Sequence, residues 1–165
     1  MPGDDPGSVT AALSTAQESF RRHQGELEET LDPANAETTQ LRKGCRMLEA
    51  CRTLRLNDGY HTSVIEMSFG AIERTLQFYV LVESNDTIGD FQTHRYAFDR
   101  AAELGLFSRS LCDDLIELRR QNRSAAYYRN TVATDEQAEA MFGLAVEIHD
   151  FVTRHLRRSE ECGCR

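Results

Sequence analysis

The chain has 165 residues, with 27 acidic against 19 Lys and Arg side chains and a formal charge of −8. That length suits one domain with a real core, and the acidic surplus excludes broad coating of nucleic acid. Apolar runs long enough to span a bilayer are missing, as is a signal-peptide pattern after Met1, so the sequence predicts a soluble, cytoplasmic protein. Lys43 is the only lysine, a bias expected of a salt-rich, halophilic cytoplasm or of a GC-rich genome. Concentrated salt weakens counterion-release binding, so any RNA contact should be a local arginine cluster.

Residues 1–8 hold two prolines, two glycines and two acids and read as a disordered start. From Val9 to Leu31, the positions Leu13, Ala16, Phe20, Leu27 and Leu31 form a loose helical stripe that Asp32-Pro33 should end. Asn35 or Thr38 can open the next helix, with Leu41, Cys45, Leu48, Cys51 and Leu54 on one side. After the turn signal Asn57-Asp58-Gly59 comes the most apolar segment, Tyr60 to about Glu83. Its apolar residues cover more than one stripe, which predicts a central helix with Glu73-Arg74 marking an outward face. A shorter helical segment or two follows from Ile88 to Leu104, closed by Gly105.

Ser108 starts the most informative stretch, in which Leu111, Leu115 and Leu118 recur at helical spacing and should face the core. The other side carries Arg119, Arg120 and Arg123, then Tyr127 and Tyr128. In a helix Arg120, Arg123 and Tyr127 share a face, and guanidinium forks beside a phenol can hold a phosphate and stack on a base. An Arg-rich helix face is also what plain solvation produces. Thr134 with Gln137 reads as a capping box for the last helix, whose stripe is Ala138, Met141, Ala145, Ile148, Val152 and His155. Its early acids and late arginines suit the helix dipole. Strand-type alternation is absent, so the fold class is all-α: an antiparallel up-and-down bundle of about five to six helices, with the domain at 9–158 and a polar tail at 159–165.

Five cysteines, Cys45, Cys51, Cys112, Cys162 and Cys164, are an odd count without a disulfide rhythm, which suits a reducing compartment. Cys162-Gly163-Cys164 lies in the tail. Two thiolates one residue apart cannot alone complete a four-ligand zinc site, and His149 and His155 sit at helix positions rather than at finger spacing. The expectation is therefore no metal and no cofactor, with packing or surface roles for His61, His149 and His155.

The stretch RSAAYY at 123–128, followed by TDEQAEAMFGLAVEIHDFVTRHL at 134–156, resembles the end of HEPN domains. Earlier pieces match in order: GYHTSVIEMSFGAIERTLQFYVL at 59–81, His94 ahead of Phe98, and ELGLF at 103–107. The resemblance covers about residues 38–158 and rests on the order and spacing of short pieces. It implies a HEPN-like bundle, a homodimer with facing focal helices, and an RNA, nucleotide or nucleotidyltransferase-antitoxin partner. It also implies metal-independent RNA cleavage, in which His handles protons and Arg stabilises phosphate charge.

The family's catalytic histidine, however, has no counterpart here. Anchored on Arg123, its slot holds Tyr128; anchored on Tyr128, the Arg and His slots hold Gln121 and Ala126. A tyrosine with an ordinary pKa of about 10 is a poor base at neutral pH. His94 would have to approach from another helix, and a structural role at a helix start is its default. The expected function is RNA, nucleotide or partner binding through Arg119, Arg120, Arg123, Tyr127 and Tyr128, with a degenerate nuclease site. The alternatives are a toxin-type endoribonuclease of a toxin–antitoxin pair, using Arg123 and Tyr128, and a purely structural interaction module.

Overall fold

Three helices make the core, and each is apolar where it meets the others. The computed structural model describes residues 6–57, 59–128 and 131–164, with residues 126–128 by backbone alone. In chain order the helices are α1 (Gly7–Arg22), α2 (Ala36–Arg55), α3 (His61–Glu83), α4 (His94–Glu103), α5 (Arg109–Tyr128) and α6 (Asp135–His155). Short 3₁₀ turns stand at Ile88–Asp90 and Ser159–Glu161. The described residues contain no strand, and the molecule is an all-α bundle as expected. Among the described residues, no helix is long and apolar enough to cross a membrane.

α3 is the hub. Val64, Ile65, Phe69, Ile72, Leu76, Phe78 and Val80 are all buried on it, so it packs against α2, α6 and α4 together. Burial on several faces accounts for the near-continuous apolar run in its sequence. α2 contributes Leu41, Cys45, Leu48 and Cys51 at three- and four-residue spacing, and α6 contributes Ala138, Met141, Ala145, Ile148 and Val152. Gly44 lets α2 and α3 come close: a Cβ there would lie 3.4 Å from the Ala71 carbonyl oxygen and 3.4 Å from Thr75 Oγ1.

Local signals set the helix ends. Asn35 Oδ1 accepts the Thr38 N–H at 3.1 Å, capping α2. At α6 the reciprocal box forms: Gln137 N–H donates to Thr134 Oγ1 at 3.2 Å, and Thr134 N–H to Gln137 Oε1 at 3.1 Å. Ser108 Oγ accepts the Leu111 N–H at 3.1 Å, opening α5. Gly105, with φ of +82°, takes the left-handed conformation that closes α4.

Four expectations change. The first helix stops at Arg22, where His23 turns left-handed, rather than running to Leu31. None of its residues is buried, and Val9, Leu13 and Phe20 stay exposed; an amphipathic stripe can form without a partner to cover it. α5 lies mainly against α4, so Leu115 and Cys112 are buried while Leu111 and Leu118 are exposed. A helix with one main neighbour buries a narrower stripe than one inside the bundle. Glu73 and Arg74 do not form an outward face. Arg74 Nη1 donates to Gln77 Oε1 at 2.9 Å and Gln40 Oε1 at 3.2 Å, while Glu73 meets groups from α4 and α5.

Candidate functional site

Two places gather reactive side chains, and they are built in opposite ways. The first is the groove between α4 and α5, of about 200 Å³, walled by His94, Arg95, Phe98, Ile116, Arg119, Arg120 and Arg123. α5 brings three arginines to one wall because positions 119, 120 and 123 lie within about a turn of one another. α4 brings His94 and Arg95 to the other. A network at the start of α4 holds that helix in position: Arg100 grips Asp86 with Nε to Oδ2 at 2.7 Å and Nη2 to Oδ1 at 3.1 Å. The Tyr96 hydroxyl also donates to Asp86 Oδ2, at 2.9 Å. The Arg100 hydrogen bonds lower the Asp86 carboxyl below its ordinary pKa, with Tyr96 adding to the effect against desolvation.

Carboxylates behind the groove already engage its cations. Glu73, on α3, meets His94 Nδ1 at 2.9 Å and Arg119 Nη1 at 3.2 Å, and only 13% of its side chain is exposed. Glu117 pairs with Arg120 through Oε2 to Nε at 2.7 Å and Oε1 to Nη2 at 2.6 Å. That pair lies in solvent, with Arg120 69% exposed. Arg95 Nε donates to Asp99 Oδ2 at 3.0 Å. Arg119, Arg120 and Arg123 thus line one groove. The side chains of Tyr127 and Tyr128 lie outside the described residues. His94, which sequence spacing left on a separate helix, joins the arginines through Glu73. The linking signal was the acid in mid-α3, which reads as surface when taken alone.

The second place is a buried corner where α2, α6 and the tail meet. Its four groups are Cys45, His149, Cys162 and Cys164, whose ligand atoms all lie within 4.8 Å of one another. Cys45 and His149 are 2% and 1% exposed. His149 Nε2 lies 3.1 Å from Cys162 Sγ, 3.4 Å from Cys164 Sγ and 3.6 Å from Cys45 Sγ. Cys45 and Cys162 sulfurs are 3.6 Å apart. The other imidazole nitrogen, Nδ1, meets the buried Thr75 hydroxyl on α3 at 3.1 Å.

The tail reaches this corner because it folds back. Arg158 clamps Glu37 on α2 at 2.7 Å and Glu161 at 2.5 and 2.7 Å, and the Thr38 hydroxyl donates to Glu161 at 3.2 Å. Beyond the turn, Cys162 is extended, with φ of −68° and ψ of 128°, and alternate residues of extended chain point to one side. Gly163 N–H donates to Cys45 Sγ at 3.3 Å and Cys164 N–H to Cys162 Sγ at 3.4 Å.

Protons are shared unevenly here. Desolvation opposes a charged His149, but bonds with Cys162 and Cys45 outweigh it and hold its pKa up at about 9. The Cys162 thiol is shifted down, chiefly by Cys164 and then Cys45, whereas Cys164 is shifted up by Cys162 and Cys45. Burial is the main cause that pushes up Cys51 and Cys112, which sit elsewhere in the core.

The expectation of no metal rested on Cys162 and Cys164 standing alone. The fold instead brings Cys45 from α2 and His149 from α6 to the two tail thiols, a group that could hold a metal ion. His149 is neither plain packing nor surface. A buried histidine and cysteine on two core stripes, with a Cys-x-Cys tail, was the available sequence signal. Cys45 and His149 are 104 residues apart, beyond any motif window, although His149 and Cys162 are only 13 apart.

A third cleft, of about 450 Å³, is lined by residues such as Ile65, Phe69, Leu118, Met141 and Leu144, and among the described residues no titratable group lines it.

An all-α domain with a thiol–imidazole corner and an arginine groove is the class these features define. Residues 4–164 match the family model described as Domain of unknown function (DUF8154), and the chain belongs to that family. No curated protein and no solved structure matches it.

Proposed function

We propose that this domain is an HEPN-like protein that binds RNA by its phosphates in the α4–α5 groove. The observation that carries this reading is the groove wall: four arginines and a histidine, with no acidic lining residue among those described, on a chain of net charge −8. A phosphate recruits guanidinium forks bidentately, and a local basic wall on an acidic surface directs an anion to one place. The Arg120–Glu117 pair is solvent-exposed, and pairs of that kind are weak enough to be exchanged for a phosphate. Arg119 keeps Glu73 and acts as a fixed post.

The test uses fluorescence anisotropy with labelled single-stranded RNA. Replacing both Arg120 and Arg123 by Ala should weaken binding about tenfold or more, while Arg21→Ala with Arg22→Ala on α1 should leave it unchanged. Equal affinity for all three proteins would remove the reading.

One observation favours the ribonuclease reading: Glu73 holds His94 Nδ1 at 2.9 Å, leaving Nε2 to take a proton from a ribose 2′-hydroxyl as that oxygen attacks the adjacent phosphate. The P–O5′ bond then breaks, and the leaving oxygen takes up a proton. Cleavage of the same RNA, lost in His94→Gln, would favour the enzyme. Binding without cleavage is the expected result.

A further inference from the structure

We propose that Cys45, His149, Cys162 and Cys164 form a structural zinc site that staples the C-terminal tail to the core helices. The site is independent of the α4–α5 groove.

Distance is the first support. Tetrahedral zinc with bonds of about 2.3 Å to sulfur and 2.0 Å to nitrogen holds sulfurs about 3.7 Å apart, and sulfur and nitrogen about 3.5 Å apart. Here the Cys45–Cys162 sulfur–sulfur distance is 3.6 Å and the sulfur–nitrogen distances are 3.1, 3.4 and 3.6 Å. All four atoms fall inside a 4.8 Å envelope, so small shifts of these side chains would seat an ion at the centre.

Donor chemistry is the second. Three thiols and an imidazole with no carboxylate form a soft set, which selects zinc over magnesium or calcium. Four protein ligands leave no open position, the mark of a structural rather than a catalytic centre.

The surroundings are the third. Thr75 Oγ1 at 3.1 Å from His149 Nδ1 can accept the ring N–H, fixing the tautomer that turns Nε2 to the metal. The backbone N–H groups of Gly163 and Cys164 donate to Cys45 and Cys162 sulfurs, which steadies thiolates. Three thiolates and a neutral imidazole leave zinc with a single net negative charge. Beside the corner, a cavity of about 280 Å³ is lined by Cys162, Cys164, Arg52, Arg154 and Asp150, so cationic groups as well as a carboxylate stand near that charge. Among the described residues, Arg52 Nη1 is the buried side-chain polar atom lacking a hydrogen-bond partner.

The test starts with the full chain expressed in zinc-supplemented medium and kept reduced. Elemental analysis should find about one zinc per chain. Native mass spectrometry should show that zinc on a protein whose five cysteines are all free once it is denatured. Exchange for cobalt should produce tetrahedral d–d absorption in the red and a thiolate-to-cobalt band in the near ultraviolet. Cys162→Ser and Cys164→Ser, in the tail, should each weaken zinc binding by about 10-fold or more while circular dichroism shows an intact bundle. Thr75→Val should weaken it by about 10–100-fold. Cys51→Ser and Cys112→Ser, in the core elsewhere, should not change the stoichiometry. Absence of zinc and cobalt binding by the reduced protein would overturn the proposal. So would iron in place of zinc, a disulfide among the three cysteines in the purified chain, or Cys162→Ser binding as tightly as the native protein.

Discussion

The arginine groove and the cysteine–histidine corner differ in how they are assembled. The groove draws Arg119, Arg120 and Arg123 from one helix and is open to water. The corner draws single residues from α2, α6 and the tail, and its helix-borne members are almost fully buried. Adjacent residues on one exposed helix cost little to assemble, but they leave a soft site whose side chains keep their freedom and trade partners. Residues brought together by a packed core are fixed before any ligand arrives, so the ligand meets a preorganised set. Stability should therefore depend on the corner and hardly at all on the groove.

Metal removal is the strongest way to break that contrast. Since a structural ion binds the folded chain far better than the unfolded one, its binding free energy adds to stability. Chelation of the reduced protein should lower Tm by roughly 10 °C or more, given about 2–4 °C per kcal/mol for a chain of this size. Calorimetry with and without chelator measures it. A Tm that ignores chelation would mean that Arg158 with Glu37 and Glu161, rather than an ion, holds the tail.

Asp86→Asn has a smaller effect and probes the support beneath the groove. The Arg100 bonds depress the folded Asp86 pKa below its unfolded value of about 3.9. A depressed acid contributes stability that is present above the unfolded pKa and lost as pH falls through the folded one. At pH 7 the variant should melt a few degrees below the native protein, and once the pH falls below the depressed folded Asp86 pKa the two should converge. A constant difference across that range would place the loss in packing, not in charge.

Periodic features of the fold were legible in the sequence. The stripes of α2 and α6, the caps at Asn35 and Thr134 and the apolar α3 each follow from neighbours within a few residues. Partnership was not legible. Val9, Leu13 and Phe20 make as good a stripe as Leu41, Cys45 and Leu48, yet only the second is covered. The same limit governs the sites. Arg119 to Arg123 announce themselves by proximity, whereas Cys45 and His149 look like ordinary core positions until the tail is seen to turn back through Arg158. Chemistry written in one segment is visible to a pattern; chemistry written in tertiary contacts is visible only in the fold.

Arg120→Ala should have the least effect on stability and tests the groove most sharply. Its pair with Glu117 lies within one helix and in water, so neither the core nor the corner senses its loss, and Tm should move by no more than about one degree. RNA affinity should nevertheless fall several-fold. If Arg120 neutralises one phosphate, the slope of log affinity against log salt should shrink by about 0.7, the value for a single strand. Titrations at three salt concentrations measure that slope. An affinity loss with an unchanged slope would mean that Arg120 only orders Glu117, and the phosphate contact would then belong to Arg119 or Arg123.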